Sequence, residues 1–252
     1  MKSFDYHLHT QFSYDSRIKG TQLVEKAIAL SFNEIAITEH LDLLPQELSV
    51  YGLPSLKNYM LYCRELQEKY PRLKINMGIE IGDYHLVHDF AQGLIRGFNF
   101  YPILGSVHFT SDHINVAIPL QEPLEKAQVL DYYKHNLSLV SCCDIDILAH
   151  LGVYKRYYPQ MPDESFALPI IDEILKTMIR RNIALEINLS SLRKPYGKII
   201  PEPDFIERYR SLGGRYISIG SDSHHIDHFE AIPAFVLDLC RGFLPPPKRA
   251  RH

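Results

Sequence analysis

The chain carries Asp5-Tyr6-His7-Leu8-His9-Thr10 close to its start. Alternate side chains share a face in an extended strand, so His7 and His9 should point to one side while the hydrophobic residues point to the other. Two imidazoles on one face make half of a metal site. A surface strand that happens to carry two histidines is the alternative reading of so short a motif. The ends of the other strands decide between the two.

Length and composition favour one globular domain. The chain has 252 residues, of which 46% are hydrophobic, enough for a large core in either one α/β barrel or two small domains. Because no Pro/Gly/Ser-rich linker or short repeat divides the sequence, we predict one barrel domain over residues 1–242. The net charge of −3 leaves no basic surplus for a phosphate backbone, which argues against nucleic acid as the main partner.

The sequence also predicts a cytoplasmic location. It shows no apolar core of a signal peptide and no apolar run of the roughly 18 residues that a membrane span needs. The four cysteines lack C-x-x-C spacing and are predicted to be buried thiols. Residues 243–252 contain Pro245-Pro246-Pro247 followed by Lys248, Arg249 and Arg251, and this Pro-rich basic tail is predicted to be a mobile extension.

The rest of the chain alternates predicted strands with predicted helices. Thr21 is predicted to cap the first helix, with Glu25 in its first turn, and Gly213-Gly214 should end a helix that begins at Asp204. Further helices are predicted at 54–70, 86–96, 124–137, 170–181 and 229–240. The hydrophobic side of the 86–96 helix consists of Leu86, Phe90, Leu94 and Ile95. The strands after the first are predicted at 34–40, 74–80, 101–108, 144–150, 184–190 and 216–222.

Seven strands that alternate with helices predict a parallel sheet with crossover helices. Their near-regular spacing favours a closed barrel over an open doubly wound sheet. In the last strand Ile217 and Ile219 alternate with Ser218, Gly220 and Asp222, whereas a parallel strand covered by apolar layers on both faces should be continuously apolar. We therefore expect helices on the apolar face and a wet, charged barrel interior on the polar face.

Parallel barrels place their chemistry at the C-terminal ends of the strands. Histidines and carboxylates gather at six of these ends and in the first loop. These candidate ligands are His7, His9, Asp15, His40, Glu80, His108, His150, Asp222 and His224. Seven other histidines are predicted to lie in helices, loops or the tail: His85, His88, His113, His135, His225, His228 and His252. The candidates are too costly to bury together without cations. Imidazole and carboxylate ligands without thiolate suit two or three ions of Zn²⁺, Mn²⁺ or Fe²⁺.

An ordered set of motifs carries a family resemblance over residues 5 to about 225. These motifs are His7-Leu8-His9-Thr10, Thr38-Glu39-His40, Gly78-Ile79-Glu80, Gly105-Ser106-Val107-His108, Leu148-Ala149-His150 and Gly220-Ser221-Asp222-Ser223-His224. Together they resemble the PHP (polymerase and histidinol phosphatase) family, in particular its stand-alone histidinol-phosphatase branch. The resemblance implies a distorted (β/α)7 TIM-like barrel with a trinuclear metal centre at the C-terminal ends of the strands.

The resemblance also implies roles for individual residues. One ion would be held by His7, His9, Glu80 and Asp222. Glu80 would bridge to a second ion held by His108 and His150, and a third ion would be held by Asp15, His40 and His224. Many relatives carry a histidine where this chain has Asp15, so the ligands of the third ion depart from the family pattern. Arg156 and Arg193 occupy loop positions that bind substrate phosphate in the family; solvated loop charges are the alternative.

The predicted activity is metal-dependent hydrolysis of a phosphate monoester, with Glu80 and Asp222 at the reacting centre. Two ions can share a water, lower its pKa and direct it at phosphorus. Either Asp42 or His225 would protonate the departing alcohol. The expected substrate is the small metabolite L-histidinol phosphate, an intermediate of histidine biosynthesis. A phosphoesterase acting on nucleotides or nucleic-acid ends is one alternative, and a catalytically silent metal-binding module is another.

Overall fold

A computed structural model describes residues 3–248 and shows one seven-stranded parallel sheet in the order β1 to β7. The strands are β1 (Phe4–Asp5), β2 (Glu34–Asp42), β3 (Lys74–Gly82), β4 (Ile103–Ser106), β5 (Ile147–Leu148), β6 (Ala184–Asn188) and β7 (Ile217–Gly220). The sheet curls until its first and last strands meet. Tyr6 N donates to Ile219 O at 2.9 Å, and Asp222 N donates to His7 O at 2.9 Å. The predicted distorted (β/α)7 barrel is thereby confirmed.

Eight α-helices lie around the barrel within the described residues. They are α1 (Gly20–Ala29), α2 (Pro45–Tyr51), α3 (Leu56–Lys69), α4 (His88–Ile95), α5 (Lys126–Cys142), α6 (Leu168–Arg181), α7 (Pro203–Ser211) and α8 (Ala234–Leu239). Proline and glycine residues in the sequence determine several helix ends. Proline stands in the first turn of α6 and α7, where its missing N–H costs nothing. Gly213, with φ of 94°, follows α7 as the sequence predicts. No helix of residues 3–248 is long and apolar enough to cross a membrane.

Several predicted helix boundaries are wrong. Lys19 is the residue that precedes α1, so Thr21 lies within the first turn instead of capping it, and Glu25 lies beyond that turn. The predicted helix at 54–70 begins only at Leu56, and the separate short helix α2 was missed. The last helix, predicted at 229–240, begins only at Ala234, because Pro233 precedes it with an extended backbone. Boundaries depend on tertiary contacts more than on local propensity.

The helix predicted at 86–96 is divided, and this changes which side chains it buries. Tyr84–Leu86 form a 3₁₀ turn before α4, so Leu86 is out of phase with the helix that follows. Within α4 only Ala91 is fully buried, while Leu86 and Phe90 are about half exposed. The change of phase therefore leaves Leu86 and Phe90 facing solvent, whereas Leu94 and Ile95 pack against the core as predicted.

The barrel interior is polar, as predicted, but it is closed to solvent. Ser218, Glu186 and Asn188 are at most 1% exposed and point inward from β6 and β7. The alternate residues Ile217 and Ile219 are equally buried and belong to the hydrophobic core under the helices. Asn188 Nδ2 donates to Glu186 Oε2 at 3.1 Å, whereas Ser218 Oγ has no partner among residues 3–248, so the predicted wet interior is closed to bulk solvent at this depth.

The segment after α8 packs against the barrel instead of extending from it. Phe243 is 6% exposed and stacks on Tyr209, with ring centroids 6.0 Å apart. Leu244 pairs with Tyr216 beside β7, and Tyr101 Oη donates to Pro246 O at 2.7 Å. The prediction of a mobile extension is therefore wrong for residues 243–248. Arg249, Arg251 and His252 lie outside the described residues, and the domain boundary at residue 242 stays a prediction.

Candidate metal centre

The nine candidate ligands converge at the C-terminal end of the barrel. His40 and Glu80 lie within the long strands β2 and β3, and the other candidates lie in the segments that follow β1, β4, β5 and β7. Two of the latter, His150 and Asp222, have left-handed backbones with φ of 26° and 52°. Non-glycine residues adopt this region rarely, and such strain is concentrated at functional sites. Here the sharp turns aim both side chains across the barrel mouth.

Glu80 is the centre of this cluster and is 1% exposed. Its Oε2 lies 3.3 Å from His7 Nε2 and 3.6 Å from His9 Nε2. Its Oε1 lies 3.0 Å from His150 Nε2 and 3.8 Å from His108 Nε2. The two oxygens of one carboxylate thus face two different pairs of imidazoles, which is the arrangement of a ligand that bridges two ions.

Asp222 also faces the pair formed by His7 and His9. Its Oδ1 lies 3.7 Å from both His7 Nε2 and His9 Nε2. A further group lies nearer the solvent, where Asp15 is 3.5 Å from His40 Nε2 and 3.3 Å from His224 Nε2. Asp15 is 42% exposed at its side chain, so this outer group is the most open part of the cluster.

The residues present fit a set of metal ions. Four buried ligand atoms at the centre of the cluster have no hydrogen-bond partner among the described residues: His7 Nε2, His9 Nε2, His40 Nδ1 and Glu80 Oε2. Leaving such an atom unsatisfied costs about 1–3 kcal/mol, and all four point into the same cluster. Four groups of three ligand atoms lie within 4.8 Å of one another there: His7–His9–Glu80, His7–His150–Asp222, Glu80–His108–His150 and His9–His40–His224. Imidazole and carboxylate donors suit zinc, manganese or iron.

Electrostatics keep Glu80 and His9 in metal-binding forms. Burial acts to lower the pKa values of His7 and His40, but neighbouring carboxylates raise both well above the ordinary value, so a metal ion would displace protons from these two rings. Burial acts to raise the pKa of Glu80, but the imidazoles of His7 and His40 outweigh it and hold that pKa well below its ordinary value. Burial, together with the imidazoles of His224 and His40, lowers the pKa of His9 well below its ordinary value. At neutral pH the glutamate is therefore ionised and His9 is neutral, the forms that coordinate a cation.

A layer of buried carboxylates fixes the ligands from behind, and the sequence analysis missed it. Glu186 Oε1 lies 2.7 Å from His7 Nδ1, and because a carboxylate can only accept, Nδ1 carries the proton and Nε2 faces the centre. Glu186 also accepts from His150 N at 2.6 Å. A Cβ at Gly220 would lie 2.1 Å from Glu186 Oε1, so this contact requires glycine. The sequence signal that could have revealed Glu186 is an acidic residue in the middle of a predicted strand, on its polar face.

Glu39 has the same function behind His9. It accepts hydrogen bonds from Thr10 N at 3.1 Å and from the hydroxyls of Thr10 and Ser13. The Ser13 hydroxyl also lies 3.0 Å from His9 Nδ1. Since the hydroxyl gives its proton to Glu39, it accepts from His9, and Nε2 of His9 is left for the centre. This network explains why Thr10 and Glu39 accompany the histidines in the two motifs.

Both candidate phosphate-binding arginines lie at the rim of the cluster. Arg156 Nη1 is 3.5 Å from Asp222 Oδ2, and Arg193 Nη2 donates to Ser221 O at 2.8 Å. The loop of Arg156 is anchored by the preceding buried Lys155, whose Nζ lies 2.9 Å from Glu164 and 3.1 Å from Glu202. Neither arginine is a freely solvated loop charge, because each is partly buried and contacts the Asp222 segment.

The structure separates the two candidate acids. Asp42 is 5% exposed and lies 3.7 Å from His40 Nδ1 and 3.8 Å from His108 Nδ1. Burial raises the pKa of Asp42 to about 6, against the lowering effect of His40. His225 is 59% exposed and contacts Asp227. Asp42 therefore borders the cluster, and His225 faces solvent.

The other described histidines form no part of the cluster. His85 Nε2 lies 2.7 Å from His135 Nδ1, between the 3₁₀ turn and α5. His88 pairs with the neighbouring Asp89, and His228 lies beside His225 in the last 3₁₀ turn. His113 lies in the turn after β4. These positions match the predicted helix and loop assignments.

Fold and site define a metal-binding TIM-like barrel. The family model for the PHP domain matches residues 5–190. A probable histidinol-phosphatase of Clostridium acetobutylicum is 31% identical over 231 residues, covering 89% of this chain and 87% of that protein. A histidinol-phosphatase of Lactococcus lactis is 30% identical over 240 residues, covering 89% and 85%.

A solved structure agrees with these sequence relatives. The crystal structure of histidinol phosphate phosphatase from Lactococcus lactis, complexed with zinc, L-histidinol and phosphate, superposes with a TM-score of 0.81 at 26% identity. The match covers 97% of this chain and 95% of that chain. The chain belongs to the PHP family, which confirms the resemblance drawn from its motifs.

The geometry predicts about two to three divalent transition-metal ions per chain, because nine ligands at the usual four to six per ion exceed the needs of one. Elemental analysis of protein purified without chelators measures this number. Removing the ions should also lower the melting temperature, since it leaves the buried ligand atoms unsatisfied. Fewer than about one ion per chain, with no change in melting temperature after chelation, would contradict the metal centre.

Proposed function

We propose that this chain hydrolyses L-histidinol phosphate to L-histidinol and inorganic phosphate. The observation that carries the proposal is Glu80 between two pairs of imidazoles, with two arginines at the rim of the same cluster. The proposal is supported by relatives named histidinol-phosphatase that are 30–31% identical over most of both chains. The Lactococcus structure, complexed with zinc, L-histidinol and phosphate, supports the same substrate.

The ligand distances suggest how the ions are shared. His7, His9, Asp222 and Glu80 would hold one ion, and His108 and His150 would hold a second together with Glu80. Asp15, His40 and His224 would hold a third at the open side of the cluster. His40 Nδ1 also lies 3.0 Å from Glu80 Oε2. The His40 ring therefore connects the outer group of Asp15 and His224 to Glu80.

Each side chain then has a distinct task. Bound ions supply a hydroxide nucleophile at neutral pH and stabilise charge on the phosphoryl oxygens. Glu80 and Asp222 stay ionised and orient the imidazoles opposite them. Arg156 and Arg193 donate hydrogen bonds to the phosphate from the rim, where their guanidinium groups can make two-point contacts. Asp42 gives a proton to the departing alcohol oxygen, which becomes the hydroxyl group of L-histidinol.

The two alternative functions have less support. Nucleotides or nucleic-acid ends would gain from a basic surface, and the net charge is −3. A silent metal-binding module would not need Arg156 and Arg193 directed at the same cluster. A cytoplasmic location is compatible with the proposed activity and remains a prediction from the sequence.

The function is tested by measuring phosphate release from a panel of monoesters by the metal-loaded protein. We expect the highest kcat/KM with histidinol phosphate and lower values with nucleoside monophosphates and with 3′-phosphorylated oligonucleotides. Faster release from the nucleotide substrates would favour the nucleic-acid alternative. A filled metal centre without turnover of any monoester would identify a binding module.

Glu80→Gln tests the bridging carboxylate. The amide removes the negative charge shared by two ions, so we expect loss of at least one ion per chain and a fall in kcat/KM of more than about 100-fold. Elemental analysis and phosphate release measure the two effects. Glu68→Gln, a change of an exposed glutamate on α3, is the matched control. Full metal retention in the Glu80 variant would show that Glu80 is not a shared ligand.

Arg156→Ala and Arg193→Ala separate phosphate recognition from metal binding. Each should keep its metal content and lower kcat/KM by about 10- to 1000-fold, the loss expected for one or two charge-assisted hydrogen bonds. Arg193→Lys should fall between wild type and alanine, because an ammonium restores charge without the planar fork. Arg64→Ala on the exposed side of α3 should have no effect. Wild-type rates in both alanine variants would refute the phosphate-binding roles.

A further inference from the structure

A second group of buried carboxylates lies beside the metal centre, between β2, α2 and the segment after β4. Asp42 ends β2, Glu47 points inward from α2, and His108 follows β4. Asp42 is 5% exposed, and Glu47 and His108 are each 6% exposed. One ligand atom from each of the three lies within 4.8 Å of the other two. Of these three, the proposed function uses only Asp42 and His108.

Two oxygens of this group are unsatisfied. Asp42 Oδ1 and Glu47 Oε2 are buried and have no hydrogen-bond partner among residues 3–248. The other oxygen of Asp42 accepts from Tyr14 Oη at 3.1 Å, so only Oδ1 is free to face the group. A buried carboxyl oxygen without a partner is costly, and two that converge on one imidazole need a proton or a cation between them.

The backbone leaves room for that charge. A Cβ at residue 82 would lie 2.2 Å from Asp42 Oδ1 and 3.1 Å from His108 Nδ1. The space between these two atoms therefore exists because Gly82 has no side chain. A third carboxylate, Asp83, follows directly and is fully buried, with His108 N and Phe109 N directed towards it. Three buried carboxyl groups thus surround this space.

We propose that Asp42, Glu47 and His108 bind an additional divalent transition-metal ion beside the main centre. Its ligands are Asp42 Oδ1, Glu47 Oε2 and His108 Nδ1, a mixed carboxylate and imidazole set that suits Zn²⁺ or Mn²⁺. Because Nε2 of His108 faces Glu80 and Nδ1 faces Asp42, His108 would bridge this ion and the main centre as an imidazolate, and its Nδ1 proton would pass to solvent when the ion binds. The ion therefore binds with release of one proton, and this site fills after the main centre.

Occupancy of this site affects the reaction, and this part of the inference rests on the proposed function. An ion at this site engages Asp42 Oδ1, the carboxyl oxygen that faces His108, and so removes Asp42 from the reaction. Excess Zn²⁺ should then inhibit hydrolysis. Removing the Glu47 ligand should raise the inhibitory Zn²⁺ concentration by at least about 10-fold, the smallest effect expected even for residues that only support a metal ligand.

The test compares bound zinc in wild type and in Glu47→Gln, which keeps the shape of the side chain but removes its charge. Metal-stripped protein is dialysed against increasing free Zn²⁺, and zinc per chain is measured by elemental analysis. We expect the variant to bind one ion fewer at saturation and to lack the ion that enters last. Glu68→Gln should bind as many ions as wild type. Gly82→Ala, whose methyl group occupies the space, should also lose one ion.

Crystals of the zinc-saturated wild type give a readout that needs no variant. An anomalous peak between Asp42 and Glu47 supports the site, and its absence overturns the proposal, as do equal zinc counts in wild type and Glu47→Gln. Phosphate release by wild type at low zinc is measured separately. If wild type hydrolyses no phosphate but the Glu47 variant still loses one ion, the proposed function fails and this site stands.

Discussion

The structure depends on the burial of one carboxylate among imidazoles. Glu80 is almost inaccessible to solvent, yet the histidines around it hold its pKa low, so a negative charge is kept inside the barrel. Such a charge is stable only where cations or donors surround it. The unsatisfied atoms beside it show that protein groups alone do not complete the arrangement. Metal binding and folding are therefore coupled in this chain.

The barrel meets this requirement through the position of its strand ends. Parallel strands place all their C-terminal ends at one rim, so ligands far apart in the sequence meet without long loops. Sharp left-handed turns at His150 and Asp222 then aim side chains across the mouth. Glu186 and Glu39 hold the rings of His7 and His9 so that the unprotonated nitrogens face inward. The same polar interior that weakens a hydrophobic core thus orients the site.

The barrel buries more carboxyl groups than the main centre uses. Asp42, Glu47 and Asp83 form a second buried acidic group around the space left by Gly82. The proposed proton donor and the proposed additional cation site both use the Asp42 carboxyl group, so the two proposed roles exclude each other.

The sequence by itself determined the barrel and the nine residues at its mouth. Strand alternation and the position of a histidine at a strand end are local properties, so neighbouring residues are enough to reveal them. Tertiary structure decided the rest: the pairing of His7 with Glu186, 179 residues away, the position of Asp42 beside the cluster and of His225 in solvent, and the packing of Phe243 on the barrel. These contacts join distant segments, and nothing in the residues near either partner specifies them.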